Sequence, residues 1–204
     1  MDQDMFKAVY LAGFILIFAI RLPYWWMARG VPVVTDRKKG SEKVLLATLS
    51  VGVGVLPLVY VFAPLLRVAD YRLPTWMGWM GAVVFTFGLW ILWRAHAGLG
   101  RYWSDSLQLR EGQQLVTSGI YRRIRHPMYA FGWLLAIAQV LLLWNWIAGW
   151  SGVVAFALLY ILRVPREEQM MIDQFGEQYR AYMSRTGRVV PRLALRSRGK
   201  SIAG

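Results

Sequence analysis

The chain has 204 residues, 57% of them hydrophobic, and its mean hydropathy is +0.38. Soluble domains are about 45–50% apolar, so an ordinary soluble fold is excluded, and the absence of cysteine excludes a disulfide scaffold, a thiol nucleophile and any cysteine metal site. The net charge of +13 would suit nucleic acid, but no basic stripe stands apart from an apolar segment, so no nucleic-acid partner is expected.

The first apolar segment runs from Met5 to Met27, interrupted by Arg21. It follows Asp2 and Asp4 rather than a basic region, and no small-residue cleavage site follows it, so it reads as a span and not a secretory signal. The second runs from Val44 to Leu66, with Gly52 and Gly54 inside it suited to close helix packing. The third runs from Trp76 to Trp93. A long apolar region from Met128 to Leu162 is broken between Leu143 and Trp150 by Asn145 and Gly149. At ~1.5 Å per residue it is too long for one crossing, so it predicts two short helices joined by a tight turn. The sum is an all-α integral membrane protein with five transmembrane helices.

Lysine and arginine set its orientation. Five lie between Ala28 and Lys43, six between Arg94 and Pro127, and nine between Arg163 and Gly204, which is twenty of the 24. The basic loops alternate with poor ones, which predicts the N-terminus outside and the C-terminus in the cytosol. The positive charge then also meets anionic membrane lipids. Eleven tryptophans suit a membrane interface. No internal repeat is visible. The chain divides into residues 1–93, three spans with little chemistry; 94–193, where the working polar residues fall; and a basic tail, 194–204, expected to be disordered.

The chemistry-bearing residues gather at the cytosolic side. His126 lies in RIRHPMY, with Pro127 placed at the first turn of the fourth span, where its missing N–H is harmless. The positive end of that helix suits an anionic group; the alternative is a capping histidine beside an aromatic anchor. His96, in WRAHAGLG, reads as an interfacial residue. The Gly98-Leu99-Gly100 triplet has no preceding strand and is no dinucleotide turn. A polar loop of about thirty residues from Arg94 to Pro127 carries Leu115, Val116, Ile120 and Tyr121 and looks packed. At the exit of the fifth span, Arg163 and Glu167 share a helix face, Glu168 follows, and Pro165 between them should kink the helix. Ionisable groups so near hydrocarbon are costly and usually functional. Beyond them Met171, Phe175, Tyr179 and Tyr182 form an apolar stripe suited to packing. One histidine here and no carboxylate cluster at ligand spacing argue against a metal, and the serines lack a His and acid pairing for acyl transfer.

The run LVTSGIYRRIRHPMY (Leu115 to Tyr129), then an apolar hairpin, RVPREE (Arg163 to Glu168) and FGEQYRAY (Phe175 to Tyr182), resembles the isoprenylcysteine carboxyl methyltransferase family, with phospholipid methyltransferases as more distant relatives. The match covers roughly Leu99 to Leu193. The resemblance implies a membrane enzyme using S-adenosylmethionine, bound in a cytosolic pocket made by the loop before the fourth span and the C-terminal segment. The family's cofactor positions fall on Gln113, Gln114, Leu115, Val116, Tyr121, His126, Pro127, Met128, Tyr129 and Glu167, and on Gln108 if a two-residue gap is allowed. Ile120 stands where the family often has proline. The acceptor-carboxylate position falls on Arg163, with Glu168 beside it at the substrate end. Arg163, Glu167 and Tyr129 are thus the implied catalytic residues.

The implied reaction suits these residues. Methyl transfer from a sulfonium needs positioning and desolvation more than acid–base groups. A carboxylate acceptor is already ionised at pH 7, and Arg163 is able to hold it bidentately. The expected acceptor is a carboxylate on a prenyl-like or lipid-like molecule. N-methylation of a phospholipid amine or S-methylation of a small thiol is the alternative, with Glu168 or Tyr129 as proton acceptor. A sterol-reductase-like enzyme would need a nicotinamide cofactor and usually more spans, and a non-catalytic membrane scaffold would not need the intact RHPMY and REE motifs. The small size and trimmed loops lean toward a bacterial inner membrane, or the endoplasmic reticulum if the source is eukaryotic.

Overall fold

A computed structural model describes residues 2–36, 40–103, 108–110, 112 and 114–192. Helix α1 (Asp2–Arg29) opens with Asp2 and Asp4 and closes with Arg29, charges that complement its dipole. The Arg29 guanidinium lies 3.4 Å from the centre of the Trp25 ring.

The second apolar segment is built in pieces. Helix α2 (Gly40–Ser50) passes into a π-helical turn (Val51–Val55) and then helix α3 (Leu56–Phe62), and a 3-10 helix (Pro64–Ala69) follows. The π turn is stabilised from outside. Gln139 donates to the Gly52 carbonyl at 3.0 Å, Ser151 donates to the same carbonyl at 2.7 Å, and Tyr10 donates to the Val53 carbonyl at 2.8 Å. Gly52 is required there, since a Cβ would lie 2.6 Å from the Ala155 Cβ and 2.7 Å from the Ser151 carbonyl oxygen. Gly54 differs from expectation: its nearest neighbour, the Phe14 ring, lies at an ordinary 3.7 Å.

Helix α4 (Thr75–Leu99) runs further than the apolar pattern of Trp76–Trp93 suggests. Polar residues from Arg94 onward extend it until Gly100, which takes φ +52° and stops it. Gly98 is inside the helix, where a Cβ would meet the Tyr121 ring at 2.9 Å. His96, in the last turn of α4, is fully buried, its Nδ1 2.9 Å from the Leu92 carbonyl oxygen and its ring against those of Tyr24 and Trp103.

Helices α5 (Pro127–Leu143) and α6 (Trp146–Phe175) form the expected hairpin, with Trp144 in the left-handed region at φ 44°. Asn145 caps α6, accepting from the N–H groups of Ile147 and Ala148 at 3.0 and 2.8 Å. Its amide also donates to the Leu66 carbonyl at 2.7 Å and to Asp70 at 2.8 Å. These bonds tie the hairpin to the end of the second segment. Contrary to the prediction of two short helices, α6 has 30 residues and continues through Pro165. Gly176, at φ 53°, then turns the chain into helix α7 (Glu177–Arg185).

Four helical segments have the length and apolarity of a membrane span: Asp2–Arg29, Glu42–Phe62, Thr75–Tyr102 and Trp146–Phe175. Helix α5 has 17 residues and is about 25 Å long at ~1.5 Å per residue. Val83, Phe87, Val154 and Ile161 are exposed on the outside, a surface that lipid covers and water would not. The chain is a multi-pass membrane protein.

Among the described residues one feature departs from an all-helical chain. Strand β1 (Val33–Asp36), after α1, pairs antiparallel with β2 (Gln108–Arg110), after α4. Both loops leave the bundle at the same end, so their backbone groups are available to one another. The tail from residue 193 onward lies outside the described residues.

Candidate active site

The site begins where the chain enters α5. The segment before the helix is paired with the segment after α7: the N–H of Arg125 donates to the Gly187 carbonyl, and that of His126 to the Arg188 carbonyl, both at 2.9 Å. Tyr182 on α7 donates to the Tyr121 carbonyl at 2.6 Å. Burial pushes the Tyr182 hydroxyl up to about 12 and raises that of Tyr121 well above its usual value. Both stay protonated as donors.

Glu168 binds this junction to α6. Its carboxylate accepts from Arg125 Nε at 2.7 Å and from Arg188 Nη2 at 2.7 Å, and lies 3.2 Å from His126 Nε2. Arg125 also donates to the Thr186 carbonyl at 2.7 Å. One carboxylate therefore fixes α6, the α5 entry and the C-terminal segment together.

Glu167 faces the other way. It accepts from the Tyr129 hydroxyl at 2.7 Å and lies 3.7 Å from His126 Nδ1. Arg163 Nε lies 3.9 Å from the same carboxylate, one turn earlier on α6. Pro127 takes the first position of α5 and His126 the cap, as expected, though His126 makes no side-chain cap bond.

A cavity of about 990 Å³ opens from these residues. Its polar end is lined by Arg125, His126, Tyr129, Arg163 and Glu167. Its apolar part runs between the helices past Phe14, Phe18, Leu46, Leu49, Val53 and Leu135.

Of the residues singled out from the sequence, Gln114, Leu115, Val116, Tyr121, His126, Pro127, Met128, Tyr129, Arg163 and Glu167 all line this cavity. Glu168 does not, because its carboxylate faces the Arg125 and Arg188 guanidiniums. Gln108 lies on β2, where its backbone is opposite Asp36, and Gln113 is outside the described residues. From the stripe, Met171, Tyr179 and Tyr182 reach the cavity wall, while Arg180 lies in the open beside Glu177 at 3.1 Å.

The N-terminal helices take a larger part than their sequence suggests. Arg21 and Trp25 of α1 line the cavity. Glu42, in the first turn of α2, is 3% exposed and lies 3.7 Å from Arg163 Nη1. Nothing in the pattern around Glu42 marks it, since a glutamate at a helix start normally reads as a solvated dipole partner.

Comparisons with known proteins bear on the family. The profile of the isoprenylcysteine carboxyl methyltransferase (ICMT) family matches residues 80–173. A protein-S-isoprenylcysteine O-methyltransferase of Dictyostelium discoideum is 32% identical over 111 residues, 51% of this chain and 45% of the relative. The cobalt-zinc-cadmium resistance protein CzcN of Cupriavidus metallidurans is 31% identical over 164 residues, 74% of this chain and 67% of the relative. The solved structure of the eukaryotic intramembrane Ras methyltransferase ICMT shares the fold, with a TM-score of 0.64 at 20% identity, covering 94% of this chain and 68% of that one. The chain belongs to the isoprenylcysteine carboxyl methyltransferase family. It spans less than half the length of the Dictyostelium relative.

Proposed function

We propose that the protein is an S-adenosylmethionine-dependent methyltransferase whose lipophilic acceptor enters sideways from the bilayer. The observation that carries this reading is the single cavity joining Arg163, Glu167, His126 and Tyr129 to apolar side chains deep between α1, α2 and α5. Its volume is at the upper end of the range for small-molecule pockets, ~300–1,000 Å³, room for a nucleoside-bearing cofactor and a hydrocarbon chain together. The name of the Dictyostelium relative supports the reaction class.

The residues fit that cofactor. Glu167, held by Tyr129, offers a carboxylate to an ammonium or to ribose hydroxyls. The positive end of α5 beside His126 suits a carboxylate. Gln114, Leu115, Val116 and Tyr121 supply a wall for the nucleoside. S-Adenosylmethionine supplies an electrophilic methyl group on a sulfonium sulfur. Arg163, buried to 9% exposure and lining the same cavity, would hold and orient the acceptor carboxylate for that methyl group. The membrane helices exclude water from the transfer.

A second reading has its own support. Arg163 lies between two carboxylates, Glu42 at 3.7 Å and Glu167 at 3.9 Å, which favours a neutral or cationic acceptor such as a phospholipid amine. Glu168 is engaged by Arg125 and Arg188, so Glu167 is then the proton acceptor. The charge bias of the loops supports an N-terminus outside and a cytosolic pocket, with α5 as a fifth span, in a bacterial inner membrane or the endoplasmic reticulum.

Calorimetric titration of S-adenosylhomocysteine into the detergent-solubilised protein tests the reading. Micromolar binding that is lost in Glu167→Ala is expected. No binding by folded wild-type protein overturns it. Product mass with carboxylate and amine acceptors then separates the two readings.

A further inference from the structure

Arg163 and Glu167 are one helical turn apart on α6, a spacing that lets their side chains meet. A guanidinium beside a carboxylate in a sheltered site normally closes to about 2.7–2.9 Å. Here Arg163 Nε stops 3.9 Å from Glu167, and its Nη1 lies 3.7 Å from Glu42, a buried carboxylate on a different helix. The two near-equal separations place the guanidinium between α2 and its own helix. Glu167 meanwhile gives its Oε2 to the Tyr129 hydroxyl at 2.7 Å and lines the cavity.

We infer that Glu42 is a positioning residue: by drawing Arg163 toward α2 it keeps the Glu167 carboxylate open to the cofactor. This inference rests on the methyltransferase reading above. Glu42 lies outside the segment matched by the family profile. A helix from the N-terminal half therefore completes the site. When the Glu42 charge is removed, Arg163 closes on Glu167, and the carboxylate that would meet the cofactor becomes one half of a local ion pair.

The test is a double-mutant cycle read by S-adenosylhomocysteine affinity, with melting temperature in detergent recorded alongside. Glu42→Gln should weaken binding about tenfold, the size of one charge-assisted hydrogen bond. Arg163→Gln alone should leave cofactor affinity within about twofold of wild type, and the double variant should follow it. A purely structural role for Glu42 predicts the reverse, with the double variant at least as weak as Glu42→Gln. Wild-type affinity in a folded Glu42→Gln, or no rescue in the double variant, overturns the inference. If Glu42→Gln does not fold, the uncharged Glu42→Met of similar size replaces it; weakening rescued by Arg163→Gln supports the inference, and unchanged affinity overturns it. Absence of binding by folded wild-type protein is a separate result and overturns the methyltransferase reading itself.

Discussion

Arg125 and Glu168 are 43 residues apart in the chain, yet Arg125 Nε lies 2.7 Å from Glu168 Oε1. This contact joins the entry of α5 to the end of α6, and Arg188 brings the C-terminal segment to the same carboxylate. The polar end of the cavity is therefore held by an ion network in which Arg125 forms part of the wall and Glu168 stands behind it. Glu168→Ala leaves the Arg125 guanidinium, itself mostly buried, without this partner. Breaking such a pair costs about 3–5 kcal/mol. Thermal unfolding in detergent should show a large drop in melting temperature, and binding of S-adenosylhomocysteine should fall with it.

Tyr129→Phe isolates a smaller effect. The ring keeps its edge-on packing against His126 and Tyr160, while the 2.7 Å bond to Glu167 is lost. The melting temperature should change little. Cofactor affinity should fall by about five- to tenfold, matching about 1–1.4 kcal/mol for one hydrogen bond. Calorimetry on the two proteins side by side checks this.

Gln139→Leu probes the polar network inside the bundle. The side chain amide donates to the carbonyls of Gly52 and Ala148, and its oxygen accepts from Tyr10 at 3.2 Å. Leucine leaves the Ala148 carbonyl without this donor and weakens the support of the π turn. About 1–3 kcal/mol of stability should be lost. The π turn borders the cavity through Val53 and Gly54, so acceptor turnover should fall more than cofactor affinity. Kinetics beside calorimetry separates the two.

Tyr182 predicts an alkaline limit. Its folded pKa of about 12 lies above the ordinary tyrosine value of 10. The stabilisation from keeping the proton is complete below pH 10 and is lost as pH rises from 10 toward 12, because the unfolded chain releases its proton first. Melting temperature should be insensitive to Tyr182 between pH 6 and 9 and fall above pH 10. In Tyr182→Phe, which also loses the bond to the Tyr121 carbonyl, part of that fall should disappear.

Much of the architecture was legible because hydrocarbon imposes simple rules. Length and apolarity located the long apolar helices, and Asn145 marked the hairpin because a cap residue between two apolar runs has few other uses. The boundaries were less legible. Helix α4 continues through polar residues to Gly100, since helix formation needs no apolar side chain once the backbone is propagating. Helix α6 continues through Pro165, which marked only a kink in the sequence. The π turn in the second segment has no marker beyond Gly52, and its stability comes from Gln139 and Ser151, far along the chain.

The candidate site divides in the same way. Local patterns placed His126 and Pro127 at a helix start and Arg163 and Glu167 on one face, and these follow from backbone periodicity alone. Neighbouring glutamates in one motif received opposite surroundings, Glu167 in the cavity wall and Glu168 behind it, because successive residues on a helix point about 100° apart. Which of the two meets the cavity depends on what packs against each face. The pairing of Arg163 with Glu42 was likewise decided by the bundle. A sequence determines which side chains share an element, whereas contacts between elements depend on how they pack. In this protein α1, α2 and the C-terminal segment meet α5 and α6 only through that packing.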